Sequence, residues 1–100
     1  MARPGPEGGQ YRPLSDEQIA AIHQASLTVL ERTGVEVEHD QARELYQRGG
    51  AKVDGTRVRI PRAMVAAALQ KTQPRVLLAA RDSMHDVILE DKRVYAGTGG

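Results

Sequence analysis

Ile19, Ile22, Ser26, Val29 and Leu30 recur at spacings of three and four residues, the repeat of a helix that turns one apolar or small face inward. The pattern predicts a helix from about Asp16 to Thr33. Ser15 stands where a hydroxyl accepts an orphan amide of the first turn. Gln18, three residues on, completes a capping box. Asp16 and Glu17 place negative charge at the positive end of the helix, and Arg32 places a cation near the other. Gly34 is the expected stop. Val35 and Val37 then alternate with Glu36 and Glu38, which predicts a short half-buried strand. His39 or Asp40 opens a second helix through about Arg48, with Ala42, Leu45 and Tyr46 inward and Gly49-Gly50 at its end. A hairpin follows: Ala51 to Val53, a turn at Asp54-Gly55, then Arg57 to Ile60. Val58 and Ile60 share one side of that arm, Arg57 and Arg59 the other. Pro61 suits the first position of a third helix, which runs to about Lys71 with Met64, Val65, Ala68 and Leu69 inward. Pro74 marks its exit. The last quarter predicts strands at Arg75–Ala80, Val87–Leu89 and Arg93–Ala96, with a turn-rich link at Arg81–Asp86.

The expected fold class is therefore α+β, a small helical segment with a hairpin and short antiparallel strands. Residues 1–13, rich in Pro and Gly, are expected as a disordered tail. Residues 14–96 are expected as one α+β region. A strand running into Ala96, Gly97, Thr98, Gly99 and Gly100 reads as the start of a linker at 97–100, with the chain cut short before a larger domain.

Composition narrows this picture. With 100 residues, 40% hydrophobic, and no Phe, Trp or Cys, the core must come from small and aliphatic side chains and is expected to be thin. Absence of cysteine removes disulfides and thiolate metal sites. A net charge of +1 gives no basic field for nucleic acid. No apolar run approaches the roughly 20 residues of a membrane span, and no signal-peptide core opens the chain. The expectation is a cytoplasmic protein that binds neither nucleic acid nor membrane.

Candidate chemistry is sparse. His23, His39 and His85 show no ligand spacing, and read as a helix-face, a helix-start and a turn residue. Asp82 and Asp86 flank His85, an arrangement better suited to a hydrogen-bonded turn than to a desolvated acid–base pair. Arg57, Arg59 and Arg62 form a basic edge. They either guard a solvated strand or, if the chain is a free-standing interaction module, bind an acidic partner. No aromatic residue interleaves them for base stacking. Ser26 is expected to bond the carbonyl of the preceding turn. No nucleophile stands beside a base, so no catalytic or metal-binding residue is assigned.

One further signal is the run Leu14, Ser15, Glu17, Gln18, Ile19, Ile22, His23, Ala25, Ser26, Leu27, Val29, Leu30, Glu31, Gly34, Val35, Val37 and His39. It resembles the N-terminus of the trimethylamine:corrinoid methyltransferase family. The resemblance continues through Gly50–Pro61, Ala80–Asp82 and Val94–Gly100. It implies the N-terminal fragment of a methyltransferase whose catalytic body is a TIM (β/α)8 barrel beyond this chain. The implied reaction moves a methyl group from trimethylamine, or from a quaternary amine such as glycine betaine, to the cobalt of a corrinoid (cobalamin) on a separate protein. It also implies a homo-oligomer. Catalytic residues, pyrrolysine included, would lie in the barrel, and no corrinoid would be bound by this segment. Such a barrel must hold a methylammonium group against aromatic faces, and Tyr11, Tyr46 and Tyr95 are too few and scattered to supply them.

Overall fold

Residues 3–99 are described by a computed structural model, so Met1 and Ala2 of the expected tail and Gly100 of the expected linker lie outside the described residues. The chain divides into two units. One comprises Leu14–Thr72; the other comprises Met1–Pro13 together with Gln73–Gly100.

In the Leu14–Thr72 unit, helix α1 spans Asp16–Thr28. Its capping box is formed as expected: the Gln18 amide donates to Ser15 Oγ at 3.2 Å, and the Ser15 amide donates to Gln18 Oε1 at 2.9 Å. Ser26 Oγ donates to the Ile22 carbonyl at 3.0 Å, and Thr28 Oγ1 to that of Gln24 at 3.0 Å. Hydroxyls bonded back in this way loosen a helix, and the next turn, Val29–Thr33, is a wider π-helical one. Gly34 closes it, its amide donating to the Val29 carbonyl at 2.8 Å. Gly34 has φ 74° and ψ −167°, a backbone region essentially reserved for glycine.

The turn feeds β1 (Val35–Glu36), α2 (Asp40–Arg48), β2 (Lys52–Asp54), β3 (Arg57–Arg59) and α3 (Arg62–Gln70). The three strands form an antiparallel sheet in the order β1-β3-β2, with Val58 opposite both Val35 and Val53. His39 caps α2, Nδ1 accepting the Ala42 amide at 3.3 Å. The hairpin turn sits one residue later than expected. Asp54 pairs with Arg57, so Gly55 and Thr56 are the central residues. Gly55 alone of the two has positive φ, +59°, which is the type II′ pattern with glycine first. Pro61 stands just before α3 as its cap residue rather than as its first helical residue. Having no side-chain acceptor, Pro61 leaves the Arg62 amide to Glu31 Oε2, 3.2 Å away.

The core is thin. Among the described residues, Leu27, Ala51 and Val58 are the buried hydrophobic ones, and Val58 is fully enclosed. The stripe expected to face inward on α1 does not: Ile19, Ile22 and Val29 are 50%, 55% and 55% exposed, and Leu27 is the residue buried. At 100° per residue, Leu27 lies about 140° around the helix from Ile22. Leu45, expected on the inner face of α2, is exposed, and so is Leu69 of α3.

In the other unit, β4 (Val76–Leu78) and β5 (Val87–Leu89) form a two-stranded antiparallel sheet joined through a 3-10 turn at Ser83–His85. The strand expected at Arg93–Ala96 is reduced to a single bridge, Arg93 to Glu7. Around it the Gly8 amide donates to the Lys92 carbonyl at 2.7 Å and the Val94 amide to that of Pro6 at 2.9 Å. Arg93 donates to the Gly5 carbonyl at 3.1 Å. Residues 6–8 are thus paired through the backbone and Gly5 is held by the Arg93 side chain, where composition alone pointed to a free tail.

Candidate functional site

The basic edge is the strongest candidate from the sequence, and the fold turns its donors onto the end of α1 while Arg57 stays exposed. Helix ends leave carbonyls without partners. Arg59 Nε donates to the Arg32 carbonyl at 3.0 Å, and Arg57 to that of Thr33 at 3.3 Å. Both carbonyls belong to the π turn that ends α1. Arg62 reaches back along the same helix, donating to Gln24 Oε1 and Thr28 Oγ1, each at 2.6 Å, with Glu31 Oε1 3.6 Å from its Nε. Arg57 and Arg59 thereby satisfy carbonyls at the negative end of the helix, while Arg62 bonds side chains along it. Gln24, Thr28 and Glu31 are the partners that sequence reading missed. They lie 31 to 38 residues from Arg62, and no local rule links such positions.

The acidic turn is structural as well. Asp82 accepts the Met84 amide at 3.0 Å, and Asp86 Oδ1 accepts the Ala80 amide at 2.7 Å. His85 lies exposed in the 3-10 turn between them. His39 caps α2, while His23 sits exposed on α1. Among the described residues, no group of three or more His, Cys, Asp or Glu is placed to hold a metal ion.

Between α2 and α3 the Leu14–Thr72 unit carries a shallow apolar trough. One part, about 300 Å3, is lined by Ala42, Leu45, Tyr46 and Met64. A neighbouring part is lined by Gly49, Pro61, Ala63, Met64, Ala67, Ala68 and Lys71. Lys71 is its single charged group, and Tyr46 its single aromatic ring. A methylammonium cage needs several aromatic faces, and the trough has one; no carboxylate or imidazole lines it. What it offers is surface to pack against. No helix of the described residues is long and apolar enough to cross a membrane.

The fold and these features describe a small α+β segment. Residues 4–100 match the trimethylamine methyltransferase (MTTB) family, and the chain is a member of it. It is 40% identical over 90 residues to trimethylamine methyltransferase MttB of Desulfitobacterium hafniense (strain DSM 10664 / DCB-2), a match covering 88% of this chain and 18% of that protein. It is 32% identical over 80 residues to glycine betaine methyltransferase of D. hafniense (strain Y51), covering 80% of this chain and 17% of that protein. Trimethylamine methyltransferase MttB of Methanosarcina thermophila is 33% identical over 85 residues, covering 83% and 18%. The chain therefore spans less than a fifth of the length of these relatives.

Proposed function

We propose that this chain is the N-terminal part of a corrinoid-dependent methyltransferase that takes a methyl group from trimethylamine or a quaternary amine such as glycine betaine, and that it serves there as a support. The observation that carries the reading is the family match over residues 4–100, set beside relatives of which it covers 17–18%. The methyl acceptor in this reading is the corrinoid of a separate protein, and the amine site and every catalytic residue belong to a barrel outside these residues. The chain alone is expected to be inactive. A cytoplasmic setting and a homo-oligomeric assembly go with the proposal.

Two features support the supporting role. Donors that could have met a substrate or an acidic partner, those of Arg57, Arg59 and Arg62, are turned onto α1. Apolar side chains, by contrast, are left open on every helix: Ile22 on α1, Leu45 on α2 and Leu69 on α3. The acidic-partner module gains nothing from this arrangement.

The test is a chimera in which this chain replaces the matched 90 residues of the D. hafniense trimethylamine methyltransferase. Methyl transfer from trimethylamine or glycine betaine to a corrinoid protein is the expected result. A folded chimera that moves no methyl group from either amine would overturn the proposal.

A further inference from the structure

The helix α1 has two apolar sides, and the chain covers one of them. Leu27 is buried, and on that side Gln24, Thr28 and Glu31 meet Arg62. Ile19, Ile22 and Val29 line the far side, each at least half exposed. Ser26 lies among them with its hydroxyl turned back onto the Ile22 carbonyl, which removes its demand for water. From Ile19 to Leu30 the sequence IAAIHQASLTVL carries no Asp, Glu, Lys or Arg. A surface helix keeps a charged outer face, whereas one that is apolar around most of its circumference is a buried helix.

We propose that α1 with its π turn is a central helix, and that the Ile19–Ile22–Ser26–Val29 stripe along the two seats against the body of the family-length methyltransferase. The inference rests on the proposed function for the existence of that body, and deepens it by naming the contact. Two observations favour this occupant over a second copy of the chain. The relatives extend far beyond the match, which covers 18% of the 40%-identical one. Exposed apolar side chains also occur on α2, α3 and β4, and one two-fold contact buries a single self-complementary patch. The small Ser26 at the middle of the stripe lets a partner backbone approach closely. The flanks carry none of the charges that set pairing between solvent-facing helices.

The test compares the full 100-residue chain, free, with the same chain in the chimera described above. Hydroxyl-radical labelling reads the solvent contact of each side chain. In the free chain Ile19, Ile22 and Val29 are expected to label readily. In the chimera their labelling should fall about tenfold, while that of His23, off the stripe, should fall far less. Equal labelling of the stripe in both proteins overturns the inference. Protection that already grows with concentration in the free chain also overturns it, in favour of a second copy. Ile22→Lys and His23→Lys give a second reading. Neither should alter the free chain's thermal midpoint, and only Ile22→Lys should lower that of the chimera. Equal effects on the chimera would again count against the stripe. Protection of the stripe in a chimera without methyl transfer would sink the proposed activity and leave the contact standing.

Discussion

Replacing Gly34 by alanine tests how the wide turn of α1 is joined to the sheet. Gly34 adopts φ 74° and ψ −167°, and a residue with a Cβ held in that region is strained by about 1–3 kcal/mol. Space is short as well. A Cβ built there falls well inside van der Waals contact of the Val58 carbonyl oxygen, and within 3.1 Å of Arg59 Cγ. The Arg59 side chain could swing aside, but the carbonyl belongs to the central strand β3, which β1 pairs at Val35 and β2 at Val53. Relief therefore means moving β1 away from β3. Losing one or two of its backbone hydrogen bonds adds about 0.5–1.5 kcal/mol for each. The sum is about 1.5–6 kcal/mol, comparable to everything a core of this size provides, about 3–5 kcal/mol. Gly55→Ala is the matched control. Gly55 also has positive φ, +59°, but a Cβ there meets nothing within 4 Å, so only conformational strain of about 1–2 kcal/mol applies. Urea unfolding followed by far-ultraviolet circular dichroism should show Gly34→Ala partly unfolded without denaturant and Gly55→Ala folded with a lower midpoint. Equal loss in the two variants would refute the reasoning, because strain alone would then account for both.

Other outcomes follow from single contacts. Val58→Ala should cost about 2 kcal/mol from two lost methylene equivalents and the cavity they leave, read from the same unfolding curves. Ser15→Ala should cost about 0.5–2 kcal/mol, with hydrogen exchange accelerated at the Gln18 amide that Ser15 accepts; Ser15→Asp should retain the protection. Arg62→Ala and Thr28→Ala should couple in a double-mutant cycle by about 0.5–1.5 kcal/mol, since Arg62 donates to Thr28 Oγ1 at 2.6 Å. Arg62→Lys should recover little of that coupling, a single ammonium being unable to reach Gln24, Thr28 and Glu31 together.

What could be read from the sequence was local. The Ser15–Gln18 box, the Ser26 back-bond and the Gly34 stop all depend on residues within a few positions of one another, and each formed where it was placed; the hairpin formed too, one residue out of the expected turn position. What could not be read depended on distant partners. Periodicity shows that α1 has an apolar stripe but not which neighbour meets it, so Leu27 took the buried place expected for Ile22. The basic edge gave no hint of its acceptors because these, the carbonyls of Arg32 and Thr33, lie 24 to 27 residues away. Residues 5–8 read as tail because Pro and Gly hide pairing that runs through their backbone groups, with a distant side chain, Arg93, on Gly5. The hairpin slipped by one residue because glycine suits a turn position of either type, and the pairing of Asp54 with Arg57 decided which. At the candidate site, composition pointed to the scarcity of aromatic rings, while the bonding of the arginines onto α1 and its π turn needed the fold.

The central claim is that these residues support an amine-demethylating enzyme without holding its amine. Titrating the isotopically labelled chain with trimethylamine and with glycine betaine, and following its amide resonances by NMR, tests this most directly. The account predicts spectra that stay unchanged for both ligands. A saturable shift of a resonance cluster along the Tyr46–Met64 trough, or anywhere else in the chain, would contradict it.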